Sequence, residues 1–144
     1  MFSFERNKSL GHLAGLASRL LSNTLGRRFK EAGIDMTSEQ WGALLVLLND
    51  DVMTQSQLAK KLCLEKSSVS RLVDGLEKRG WITRSIFEGD SRQKLVSVTE
   101  KAKKTAEQCT PIAWAVLEEA QQGMTEDEQL VCRSFLTRII GNLE

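Results

Sequence analysis

Ser67, Ser70, Arg71, Asp74 and Lys78 fall at i, i+3, i+4, i+7 and i+11, the spacing that gathers side chains on one face of a helix. Small hydroxyls beside cations suit close approach to base edges and phosphate oxygens of double-stranded DNA. Arg71 is the first candidate for specificity, because a guanidinium can bond a guanine edge through two nitrogens or hold a phosphate. Ser67 and Ser68, placed at the front of that helix, can also act as its caps. Asp74 fits such a surface badly; Lys78 at i+4, or an arginine from a following hairpin, is expected to neutralise it and keep it off the DNA. Further on, Asp90, Arg92 and Lys94 lie at or near a charged hairpin tip, where Arg92 is the natural candidate to enter a narrow, negative minor groove.

Other chemistries find little material. His12 is the single histidine of the 144 residues, which argues against acid–base and metal catalysis, and no enzyme is expected. Cys63, Cys109 and Cys132 form no CxxC pair and cannot all pair internally, so neither a metal site nor a disulfide framework is expected, nor any cofactor. No apolar run approaches the roughly 18 to 20 residues that span a bilayer, and the first eight residues lack the order of a secretory signal; a cytoplasmic protein is expected. The net charge of +1 hides an asymmetry. Residues 54–94 hold nine Lys and Arg against five Asp and Glu, whereas residues 95–144 hold five against eight. Basic charge is thus concentrated in the middle third, as attraction to phosphates requires.

These side chains need elements to hold them. Leu10, Leu13, Ala17, Leu20, Leu21 and Leu25 recur at helical spacing and predict a long amphipathic helix over residues 8–31, ended by Ala32-Gly33. Thr37 and Gln40 form the ends of a capping box ahead of Trp41, Leu44, Leu45 and Leu48, and Thr54 and Gln57 form another ahead of Leu58, Ala59 and Leu62. A fourth helix starting at Ser67 or Ser68 and stopping at Gly80 then carries the polar face. Packing two short helices steeply needs a small contact, here Ala59, flanked by Leu58, Leu62, Leu64, Val69, Leu72 and Val73 pointing inward. After Gly80 the period drops to two, through residues 81–86 and 95–98, predicting a hairpin with residues 88–91 between its strands. Two long helices close the chain, the first bent at Pro111 and the second opened by a Thr125–Glu128 capping box. The expected fold is mainly α with a small β-hairpin wing: a winged helix-turn-helix over residues 35–98, and a helical dimerisation region built from residues 1–34 and 99–144.

The stretch from Leu58-Ala59 to Arg79-Gly80-Trp81-Ile82, with its core Arg71-Leu72-Val73-Asp74-Gly75-Leu76-Glu77, and the following Gly89-Asp90-Ser91-Arg92-Gln93-Lys94-Leu95-Val96-Ser97-Val98-Thr99, resembles the MarR family of regulators. The resemblance extends over nearly the whole chain. It implies a homodimeric transcriptional regulator, repression by default, with Ser67, Ser68, Ser70 and Arg71 reading the major groove and Arg92 entering the minor groove. Gly75 departs from the family pattern, where a basic or polar residue is common, as do Ser91 and Gln93 in the wing; both are expected to lower or retune affinity. Lys78 and Lys94 complete the expected DNA-binding set.

The apolar stripes of the first and last two helices exceed what a 45-residue winged helix can cover, so a second copy of the chain is expected on them, giving a pseudo-palindromic operator. Family members often bind small aromatic effectors between the dimer helices and the DNA-binding lobe, which makes His12, Met36 and Trp41 candidates for such a crevice, although core packing also explains Met36 and Trp41. Cys63, beside the turn before the polar helix, is the candidate redox residue, against the plainer reading of all three thiols as small hydrophobes. The competing function is a winged-helix protein–protein interaction module whose basic face meets an acidic partner.

Overall fold

The computed structural model describes residues 8–50, 52–87 and 90–144, and their side chains except those of residues 87 and 90–93. Ser9 opens α1 (Leu10–Glu31) by accepting the His12 amide at 3.3 Å, and Gly33, at φ +77°, closes the turn that follows it. In α2 (Ser38–Asp50) the expected capping box is complete: Gln40 N donates to Thr37 Oγ1 at 3.1 Å and Thr37 N to Gln40 Oε1 at 2.9 Å. Each bond satisfies an amide that has no partner within the helix. Thr54 and Gln57 repeat the arrangement at the start of α3 (Gln55–Leu62).

Between α2 and α3 lies a strand that the sequence pattern did not announce. The three residues of β1 (Val52–Thr54) are too few to display a period of two. They pair antiparallel with β3 (Asp90–Val98), which also pairs with β2 (Ile82–Phe87), giving a sheet of order β1-β3-β2. The hairpin expectation therefore holds, but its strands run closer to the tip than the pattern indicated, with Lys94 opposite Ile86 and an irregularity between Ile86 and Phe87.

The start of α4 (Lys66–Lys78) corrects one expectation. Glu65 occupies the cap without a side-chain hydrogen bond, so Ser67 and Ser68 lie within the first turn and cap nothing. The reason is the brevity of the connection. Cys63 takes a left-handed conformation, φ 54°, and Leu64 N donates back to Ala59 O at 3.0 Å, which lets the next helix begin at once. Leu64 is correspondingly carried outward and is 42% exposed, not packed between the helices as its apolar character suggested.

Leu58, Val69, Val73 and Leu76 are buried against Leu44 and Leu47 of α2 and Val96 of the sheet, with Ala59 at the crossing. The edge of Phe29 meets Trp41, ring centroids 5.8 Å apart, and this pair ties α1 to the same core. Gly80, at φ +77°, ends α4, and its carbonyl accepts the Thr99 hydroxyl at 2.7 Å while Thr99 Oγ1 accepts the Ala102 amide. Trp81 Nε1 donates to Thr105 Oγ1 at 3.2 Å, so the end of α4 is fastened to the first turns of α5 (Glu100–Ala120). That helix continues through Pro111, and Thr125 and Glu128 cap α6 (Glu126–Leu143) as expected.

No residue of α6 is buried. Leu130, Phe135 and Ile140 are more than half exposed, and so are Leu10 and Leu20 of α1 and Trp114 of α5. Among the described residues, no helix is long and apolar enough to cross a membrane.

Candidate nucleic-acid interface

Three apolar residues orient α4. Val69, Val73 and Leu76, at i, i+4 and i+7, are each fully buried, which turns Ser67, Arg71, Asp74 and Lys78 to the exposed side. Ser68 and Ser70 are half-buried at its edges. Among the described residues, neither Arg71 nor Lys78 has an ion-pair partner, so both charges are available to a ligand.

Beside the first half of α4 is a hollow of about 270 Å³ lined by Thr54, Gln55 and Ser56 at the start of α3, Lys66 and Ser70 of α4, and Arg84 and Lys94 of the hairpin. It brings together Ser70 and Lys94 from the expected set and adds Gln55, Ser56 and Lys66, which the sequence reading missed. Their signal was present but ambiguous: Gln55 and Ser56 sit inside a capping-box motif and read as helix-start residues. Arg92 belongs to β3, but its side chain lies outside the described ones, so its approach to a minor groove remains an expectation.

Asp74 is met by the second of the two anticipated partners. Arg84 of β2 donates from Nη2 to Asp74 Oδ1 at 2.7 Å and to Glu77 Oε1 at 2.9 Å, and from Nε to Glu77 Oε2 at 3.3 Å. These bonds hold the Glu77 carboxyl below the usual carboxylate range and the Arg84 guanidinium above its own, and Lys94 adds to the pull on Glu77. Gly75 also acquires a reason. A Cβ there would stand 3.1 Å from Gln40 Nε2, so the absent side chain faces α2 and makes room for the buried glutamine that caps it.

The proposed effector residues are not brought together within one chain. Trp41 and Met36 are core residues, 6% and 4% exposed, as their apolar character also allowed. His12 lies 17 residues before Phe29 on α1, roughly 25 Å along the axis at about 1.5 Å per residue. Met36 does line a cleft of about 650 Å³ with Ser22, Arg27, Lys30 and Asp35. Cys63 and Cys132 are exposed, whereas burial pushes the Cys109 thiol up to about 11.

The sequence pattern of the MarR family matches residues 36–94, which contain the hollow and the whole of α4. An uncharacterized HTH-type transcriptional regulator of Bacillus subtilis is 32% identical over 102 residues, covering 71% of this chain and 72% of its own. In fold, the chain is similar to a mutant MarR from E. coli crystallised with operator DNA, at a TM-score of 0.83 and 23% identity, covering 96% and 99% of the two chains. It is also similar to Bordetella bronchiseptica BpsR, whose DNA binding is regulated by 6-hydroxynicotinic acid, at a TM-score of 0.84 and 17% identity, covering 96% and 97%.

Proposed function

The chain belongs to the MarR family of winged helix-turn-helix transcriptional regulators, and from that premise we propose that it reads a pseudo-palindromic operator as a homodimer and represses by occluding a promoter. The observation that carries the reading is the outward face of α4, where Ser67, Arg71 and Lys78 are exposed on a helix fixed from behind by three buried side chains. Ser68 and Ser70 border that face, Lys94 of β3 lines the hollow beside it, and Arg92, on the same strand, is the residue proposed for the minor groove. Residues 35–98 form the DNA-reading unit.

Residues 1–34 and 99–144 supply the dimerisation surface. Leaving Leu130, Phe135, Ile140 and Trp114 in water forgoes roughly 25 cal/mol for each Å² of apolar surface that could be buried, and a second copy covers them by symmetry. Two α4 helices related by a two-fold axis then address half-sites about one helical turn apart. A small aromatic effector is the proposed release signal, by analogy with BpsR and its response to 6-hydroxynicotinic acid. The proposed site in this chain is the cleft lined by Met36, with Trp41 and His12 as the further candidate residues of that proposal. Oxidation of exposed Cys63 is a separate release route in the same scheme.

Selection from a random duplex pool, followed by anisotropy titration across a salt series, tests the reading. Enrichment of a two-fold sequence, bound with a steep salt slope and preferred over scrambled duplex, is expected. Equal affinity for all duplexes would instead move the acidic-partner reading to the front.

A further inference from the structure

Two carboxylates stand on the helix that the proposed function places among phosphates. Asp74 and Glu77 retain 54% and 43% of their side-chain exposure, on the same α4 that carries Arg71 and Lys78. Bare carboxylates there would repel the DNA backbone and oppose the neighbouring cations. Both are engaged by one group. The Arg84 side chain is only 18% exposed, rises from β2 beneath them, and its guanidinium forks across both with three hydrogen bonds of 2.7 to 3.3 Å. Its planar fork is the feature that lets one cation satisfy two acids a helical turn apart, which a lysine cannot reproduce. The same contact crosses from helix to hairpin, since Arg84 pairs with Val96 in the sheet while its side chain grips α4.

Resting on the DNA-reading function above, we propose that Arg84 is a positioning residue of the interface: it cancels Asp74 and Glu77 and fixes the wing against α4, and it bonds neither phosphate nor base itself. Its small exposure and the engagement of both Nε and Nη2 by the carboxylates leave little of it to offer DNA, although it borders the hollow beside α4. The cation census of the interface is then Lys66, Arg71, Lys78, Arg92 and Lys94, with Arg84 excluded.

The test is anisotropy titration of the selected duplex, across a salt series, with wild type, Arg84→Gln, the pair Asp74→Asn/Glu77→Gln, and the triple combination. Arg84→Gln is expected to weaken binding at least about tenfold, because it uncovers two repelling charges. The paired variant is expected to bind at least as tightly as wild type, and the triple variant to return to within about threefold of it with the wild-type salt slope. Arg84→Lys restores charge without the fork and is expected to fall between. A triple variant as weak as Arg84→Gln, with a slope lowered by about one, would mark Arg84 as a phosphate contact and overturn the proposal; so would an Arg84→Gln that binds like wild type. Wild type is titrated alongside, so a duplex it does not bind either indicts the DNA-reading function and not the role of Arg84 alone.

Discussion

Arg71 and Arg84 differ in how far local spacing determines their surroundings. Helical spacing alone turns Arg71 outward, opposite Val69, Val73 and Leu76, and it is found exposed there. Arg71→Ala is expected to cost about 1–3 kcal/mol on the selected duplex and much less on a scrambled one, as competition anisotropy reads directly. For Asp74 a hairpin arginine was an expected partner, but the juxtaposition of β2 with α4 is needed to show that it is Arg84 and that the same guanidinium also takes Glu77. Met36, Trp41 and His12 show how side-chain type suggests a shared crevice that the geometry of one chain does not assemble, since Met36 and Trp41 are core residues and His12 lies far along α1. Cys109 yields a pH prediction. Its buried thiol titrates at about 11 in the folded chain against an ordinary value of 9.0, so the folded state favours the protonated form. That contribution is complete below pH 9, fades as pH rises, and is gone above about 11. Urea unfolding of wild type and Cys109→Ala is expected to show wild type losing more stability across this window; parallel curves would contradict it.

At the scale of elements, capping chemistry was the most legible signal. All three boxes, at Thr37, Thr54 and Thr125, form with amide-to-hydroxyl distances of 3.1 Å, because their partners lie three residues apart and need no tertiary contact. Ser67 and Ser68 misled for the same reason that made them attractive: they are good cap residues, but the left-handed Cys63 shortened the turn and moved the helix start to Lys66. The strand β1 escaped notice because three residues carry no period, and its existence depends on β3. Thr54 joins β1 to α3, is 8% exposed, and satisfies the Gln57 amide. Thr54→Ala is expected to destabilise the chain by about 1 kcal/mol, seen as a lower urea midpoint with an unchanged slope.

For the whole molecule, the alternation of buried middle and exposed ends is the informative pattern. Core residues gather around α2, α3, α4 and the sheet, while the apolar residues of α6 and the first half of α1 face outward. The sequence made this surplus visible, since its stripes are too long for one winged helix to cover, but not its geometry. Phe135→Asp, a charge placed on a residue 56% exposed in the single chain, is expected to leave helix content intact while reducing the sedimenting mass to 16.1 kDa from twice that. The Asp variant is also expected to bind operator far more weakly, because each half-site alone holds a monomer with half the contacts.

Hydroxyl-radical footprinting of the selected duplex tests the central claim most directly. The account predicts two protected blocks related by a two-fold axis and about one helical turn apart, both lost together in Arg71→Ala. A single unsymmetrical block, or protection unchanged in that variant, would contradict a dimer that reads DNA through α4.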